Sequence, residues 1–407
     1  MVVVDVVGTH ELVQEVPEQA SRALSSKGPP ASGAWREGDF AGHRRFADVG
    51  DLPLQLGGVL PQVRLAYETW GTLNDDASNA VLVEHALTGD AHVTGEAGPG
   101  HPTAGWWSTL VGPGKALDTE RYFVVAANVV GGCQGSTGPA SARPGTDRAW
   151  GSAFPRITVA DQVAAEARLA DVLGISRFVA VLGGSMGGMR SLEWAAAQPD
   201  RVGSALVLAT TAASGADQIG AQSAQLAAIL GDPGWRGGDY HGAPDGHGPH
   251  VGLGLARRLA HLTYRSAAEL DSRFGRSAQF GEDPLAPREP GRYAVQSYLD
   301  HHAEKLVRRF DAGSYVALTD AMNTWDVGLH RGGTEQALAA VTVPLVVVAV
   351  DSDRLYPVED SRRIVAAAPA AVGGLRVVTS VSGHDGFLLE SDQIAPLVLE
   401  TLALGAR

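Results

Sequence analysis

Six apolar runs set the architecture of this chain: AVLVEHA (80–86), YFVVAAN (122–128), FVAVLGG (178–184), SALVLAT (204–210), VPLVVVAV (343–350) and LRVVTS (375–380). Each is continuous rather than alternating, which is the pattern of a strand covered on both faces. Helical stretches lie between them. TVADQVAAEARLADVLG opens with Thr158 and Asp161 at the spacing of a capping box and closes at Gly174. MGGMRSLEWAAAQPD stops at Pro199. Strands alternating with helices predict an α/β fold, a mostly parallel sheet flanked by helices, with right-handed crossovers. Ahead of these runs, LPLQLGGVLPQVRLAYETWG reads as a hairpin turning at Gly57 and Gly58.

The rhythm breaks between 213 and 335. That region has few strand-like runs but carries the helical stretches GLGLARRLAHLTYRSAAELDSRF and YAVQSYLDHHAEKLVRRF. It is expected to be a helical lid inserted into an α/β core made of residues 41–212 and 336–407. Residues 1–40, rich in Ser, Gly, Pro and Ala, are expected to form a disordered extension. Apolar residues make up 44% of the chain and charged residues 19%, so it can bury a core. A net charge of −13 argues against a nucleic-acid partner, which needs a basic face. No run approaches the roughly 18 apolar residues of a membrane span. The start lacks a basic leader, and the single cysteine, Cys133, permits no intrachain disulfide, so a cytoplasmic location is expected.

Gly183-x-Ser185-x-Gly187 follows one of the apolar runs and opens a helical pattern. With 51 glycines in the chain the pattern is weak alone. Its strand-to-helix context makes Ser185 a nucleophile at a strained corner, with its hydroxyl projecting from the C-terminal edge of the sheet. Serine needs a base, and in this arrangement the acid and then the histidine follow in the chain. VAVDSDRLYP offers Asp351 or Asp353 as the acid, and VTSVSGHDGFLLE offers His384 as the base. Two backbone N–H groups suit the oxyanion: Met186, after the nucleophile, and Leu87, in the loop EHALTGDAH. The His85 side chain is read as a structural turn residue. His241, His247 and His250 lack a ligand spacing, so no metal is expected.

Taken together, LAYETWGTLN, EHALTGDAH, GWW, FVVAANVVGGCQGSTGP, GGSMGGM, GLGLARRLAHLTYRS, DSDRLYP and GHDGFLLE resemble the homoserine O-acetyltransferases of the α/β-hydrolase superfamily, from about Phe46 to the end of the chain. The resemblance implies Ser185 as nucleophile, Asp353 as the acid (it precedes x-Leu-Tyr-Pro) and His384 as base. It implies that Arg257 and Asp385 contact the amino-acid substrate, the first through its carboxylate and the second through its ammonium group. It further implies ping-pong transfer from acetyl-CoA, a co-substrate with no other cofactor, to L-homoserine, giving a methionine precursor. A homodimer meeting through the lid is also implied. The same fold with succinyl-CoA, with serine as acceptor, or acting as a serine esterase, stands as the alternative. Cys133 is expected to be a small packed residue, and Trp106 and Trp107 to line either a tunnel or the core.

Overall fold

The computed structural model describes residues 28–406. Ten strands follow in order: β1 (Arg45–Pro53), β2 (Val59–Trp70), β3 (Ala80–Glu84), β4 (Val111–Gly112), β5 (Leu117–Asp118), β6 (Phe123–Ala127), β7 (Ala180–Gly184), β8 (Ala205–Leu208), β9 (Leu345–Val350) and β10 (Ala371–Val378). Eight of them form one sheet, in the order β1-β2-β6-β3-β7-β8-β9-β10. From β6 to β10 every pairing is parallel. The hairpin β1–β2 adds to that block through antiparallel pairing of β2 with β6.

The helices are α1 (Val159–Val172), α2 (Met186–Ala197), α3 (Ala216–Leu230), α4 (His250–Tyr264), α5 (Ala267–Arg273), α6 (Ala294–Arg309), α7 (Ala312–Asn323), α8 (Thr334–Ala340), α9 (Val358–Ala367), α10 (Gly386–Leu389) and α11 (Ser391–Gly405). Alternate residues of each central strand face opposite layers. Leu82, Val125, Val181, Val207 and Val347 pack with residues of α1, α2, α8 and α9. Val81, Val124, Leu182, Leu206 and Val346 pack with Ile394, Val398 and Leu402 of α11. Both faces are buried, which is why the strands read as unbroken apolar runs. The capping box of α1 forms as its sequence predicts: Thr158 and Asp161 satisfy each other's backbone N–H.

Between β8 and α8 lie five helices, α3 to α7. Of these, α4 packs against both α3 and α6. The expectation of a disordered stretch to residue 40 needs correction for its described part, residues 28–40. Ala31 and Ala34 are buried. Ser32 Oγ donates to Asp311 (2.7 Å), Gly33 N–H to Phe310 O (3.1 Å) and Trp35 N–H to Cys133 O (2.9 Å). The segment is composed like a disordered one but is pinned by partners 98 to 279 residues away in sequence. Residues 1–27 of that expected extension lie outside the described residues.

Candidate active site

The C-terminal end of β7 turns directly into α2, and Ser185 is the turn. Its φ of 61° and ψ of −126° lie where a side chain is rarely tolerated. The flanking glycines explain how the corner closes. A Cβ on Gly183 would sit 2.3 Å from Gly187 O, and one on Gly187 would sit 2.2 Å from Glu84 O. Only glycine lets α2 come this close to β3 and β7. Met186 is the first residue of α2, so its N–H has no intrahelical acceptor.

His384 lies in a single 3₁₀ turn after β10. Its Nδ1 is 2.7 Å from Asp353 Oδ2. The other carboxylate oxygen, Asp353 Oδ1, accepts the N–H groups of Leu355 (2.8 Å) and Tyr356 (3.0 Å), which fixes the acid's direction. Asp351 is occupied elsewhere, accepting Ser380 N–H at 3.0 Å. Burial acts to lower the His384 pKa, but the charge and hydrogen bond of Asp353 outweigh it, and the imidazole is raised above its ordinary value. Phe387 connects His384 to the Ser185 corner. Its ring is 5.3 Å from that of His384 and closes on the Cα of Gly184, where a Cβ would lie 2.5 Å from it.

The loop after β3 carries Leu87, whose N–H has no protein acceptor among the described residues. Two arginines, from α4 and α6 in the helical region between β8 and α8, converge on the next residue. Arg257 Nη1 is 3.4 Å from Thr88 Oγ1, and Arg309 Nη2 donates to Thr88 O at 2.9 Å. Arg257 Nε is buried without a partner among the described residues, and its guanidinium lies 5.7 Å from the centre of the Tyr264 ring, itself 5.8 Å from the His384 ring. Neighbouring Arg258 points away and pairs with Asp300 (3.0 Å). Asp385 pairs with Arg265 at 3.0 Å, and Arg265 also holds Glu269. Arg265 and Arg309 were not singled out from sequence, where each is one basic residue among several in the helical region between β8 and α8; Arg265 follows the end of α4 and Arg309 ends α6.

A third cation escaped the sequence reading. Arg190, fully buried on α2, lies 2.5 Å from both Glu84 Oε2 and Glu166 Oε1, and donates to His85 O at 2.5 Å. Burial and the nearby Glu166 carboxylate push Glu84 well above the usual carboxylate range despite the guanidinium. The available signal was chemical: Glu84 interrupts an otherwise apolar strand, and Glu166 stands among alanines (Ala164, Ala165, Ala167) in α1.

Glu68, His92 and His101 bring three donor atoms within 4.8 Å of one another. Geometry makes them a hydrogen-bonded stack. The His92 and His101 rings lie 3.9 Å apart at 14°, so no cation could sit in both ring planes. His101 Nε2 already accepts His43 N–H (3.0 Å), and His92 Nδ1 bonds Glu68 (2.9 Å). His241 and His250 are likewise engaged, with Asp311 (3.0 Å) and Pro30 O (2.8 Å). Cys133 is a buried thiol pushed up to about 12, chiefly by burial. Trp107 is core, donating to Phe387 O, while Trp106 is half-buried and donates to Asp90 O.

A profile of the alpha/beta hydrolase fold matches residues 79–391. The homoserine O-acetyltransferase of Thermobifida fusca is 60% identical over 375 residues, covering 92% of this chain and 97% of that one. That of Clavibacter michiganensis is 56% identical over 368 residues, covering 90% and 94%. Among solved structures, the homoserine O-acetyltransferase from Bacillus anthracis superposes with a TM-score of 0.80 at 25% identity, covering 88% of this chain and 97% of that one. Esterase E22 superposes with a TM-score of 0.79 at 25% identity, covering 88% and 99%.

Proposed function

We propose, since the chain belongs to the homoserine O-acetyltransferase family on the alpha/beta hydrolase fold, that it moves an acetyl group from acetyl-CoA to the hydroxyl of L-homoserine through an acetyl-Ser185 intermediate. His384, oriented by Asp353, takes the Ser185 proton as the hydroxyl attacks the thioester carbonyl. The oxyanion forms against the N–H groups of Leu87 and Met186. His384 returns the proton to the departing CoA thiolate. It then deprotonates the homoserine hydroxyl, which attacks the acetyl-serine, and returns that proton to the departing Ser185 oxygen.

Arg257 is the observation that carries the acceptor assignment. It is a partly buried guanidinium with an unpartnered Nε at the oxyanion loop, suited to a carboxylate. Asp385 offers the charge for an ammonium group, and its bond to Arg265 fixes where that carboxylate points. Transfer to the alcohol requires the lid to keep water from the acetyl-serine. The likeness to esterase E22 favours hydrolysis as the competing reading. The lid also supports a homodimer, because Val251, Leu255 and Leu262 expose an apolar stripe on α4 beside Ile219 and Leu230 of α3. No helix among the described residues is long and apolar enough to cross a membrane, which fits a cytoplasmic enzyme.

The test is release of CoA thiol from acetyl-CoA or succinyl-CoA with homoserine, with serine or with no acceptor. Fast release is expected only with acetyl-CoA and homoserine together. Equal release without acceptor would assign hydrolysis instead.

A further inference from the structure

The loop that presents Leu87 is held from beneath by a histidine that takes no part in proton transfer. His85 is buried, and its Nε2 accepts Val129 N–H at 3.1 Å. A backbone amide can only donate, so the ring hydrogen sits on Nδ1. Nδ1 lies 2.8 Å from Ala86 O and donates to it. Gly89 N–H donates to the same oxygen at 2.9 Å. Ala86 O and Leu87 N–H belong to one peptide unit, which is planar and trans, so the two point in opposite directions. Drawing the oxygen toward the imidazole therefore turns the Leu87 N–H away from it.

We propose that His85 is the positioning residue of the oxyanion site: its Nδ1–H holds the Ala86–Leu87 peptide so that Leu87 N–H faces the carbonyl under attack by Ser185. This rests on the reading of Leu87 as an oxyanion donor. The surroundings support it independently. His85 O accepts from Arg190, which stands on α2 five residues after Ser185, so both ends of the His85 backbone and ring are tied to the nucleophile helix or to the 129 loop. Burial and the Arg190 cation hold the imidazole down at about 3, so it stays neutral and keeps its hydrogen on Nδ1 at any pH where His384 can act as a base.

Two variants of the full chain separate its two hydrogen bonds. His85→Asn keeps an N–H at the place of Nδ1 and loses the acceptor for Val129. His85→Gln keeps an acceptor near the place of Nε2 and loses the donor to Ala86. The readout is acetylation of Ser185 by p-nitrophenyl acetate, followed as the nitrophenolate burst, which requires neither CoA nor homoserine. The Gln variant should acetylate about 10- to 100-fold more slowly than wild type, and the Asn variant within about 5-fold of it. The ester concentration at half-maximal rate should be unchanged in both. Equal rates in the two variants, or a slower Asn variant, would overturn the proposal. The wild type supplies a test that needs no variant: ¹⁵N shifts of His85 should report the Nδ1–H tautomer, and an Nε2–H tautomer would refute it. CoA release with homoserine, measured alongside, judges the functional reading separately, because its failure leaves the burst comparison and the tautomer intact.

Discussion

Gly187→Ala is the smallest change that probes how the nucleophile corner and the oxyanion loop are held together. The added Cβ would lie 2.2 Å from Glu84 O and 2.9 Å from Glu84 C, whereas real Cβ contacts essentially never fall below 3.0 Å. Neither neighbour is the tip of a flexible side chain. One is the first turn of α2 and the other is the last residue of β3, in the middle of the sheet. The two must separate by about 0.8 Å. Met186 precedes Gly187, and Leu87 follows Glu84 by three residues, so the spacing of the two N–H groups opens by a comparable amount. A misplacement near 1 Å costs about 100-fold in rate, or roughly 2.7 kcal/mol of barrier. Overpacking of a tight core adds about 1–3 kcal/mol of lost stability. We therefore expect kcat for acetyl transfer to fall about 30- to 100-fold in a protein that still unfolds cooperatively, at a lower Tm. The assay is initial CoA release with homoserine saturating, beside a thermal melt. Gly220→Ala is the control. It lies in α3, where a Cβ meets nothing within 4 Å, and should gain about 0.5–1 kcal/mol with kcat unchanged. A folded Gly187→Ala protein with wild-type kcat would refute the clash argument.

Asp353→Asn should lower kcat by about 10⁴-fold with little change in the KM for either substrate, because the imidazole loses the partner that fixes its tautomer. Steady-state kinetics read this directly. The same variant tests the pH dependence. His384 must be neutral to accept the Ser185 proton, and Asp353 raises its pKa. Activity should therefore be lost as pH falls through a value above the ordinary histidine pKa of about 6.5. In Asp353→Asn that acid limb should move to lower pH, and a limb that stays in place would show that another group titrates. Arg257→Ala should raise the homoserine KM about 10- to 100-fold while the rate of Ser185 acetylation by acetyl-CoA is kept. An unchanged homoserine KM would move the carboxylate contact to another cation, with Arg309 at Thr88 the nearest alternative.

The parts of this protein that were legible in its sequence are those whose physics is local. The six apolar runs gave the parallel strands β3 and β6 to β10; in β3 and β6 to β9 burial on both faces leaves no polar alternation to misread, whereas β10 is a partly exposed edge strand read from its apolar residues alone. Thr158 and Asp161 gave the start of α1 because a capping box is complete within four residues. The segment at residues 28–35 was misread for the opposite reason. Its own composition has little to bury, and its order comes from Asp311, Phe310 and Cys133, which no window around it contains.

The site divides in the same way. Ser185 carries its signal in its neighbours, since Gly183 and Gly187, the glycines that let α2 touch β3 and β7, are each two residues away. Asp353 and His384 lie just past the ends of β9 and β10, where side chains of separate segments meet at one edge of the sheet. The supporting residues carry no such signal. Arg190 is one arginine in a helix, Glu84 one acid in a strand and Glu166 one acid in another helix, and only the fold reveals that a single guanidinium joins all three segments. That arrangement makes the nucleophile helix and the oxyanion loop one mechanical unit, since Arg190 holds His85 O while His85 holds Ala86 O. The candidate reacting groups are thus readable from short motifs, whereas the buried polar contacts that tie their segments together join residues as far as 105 positions apart and are visible only in the fold.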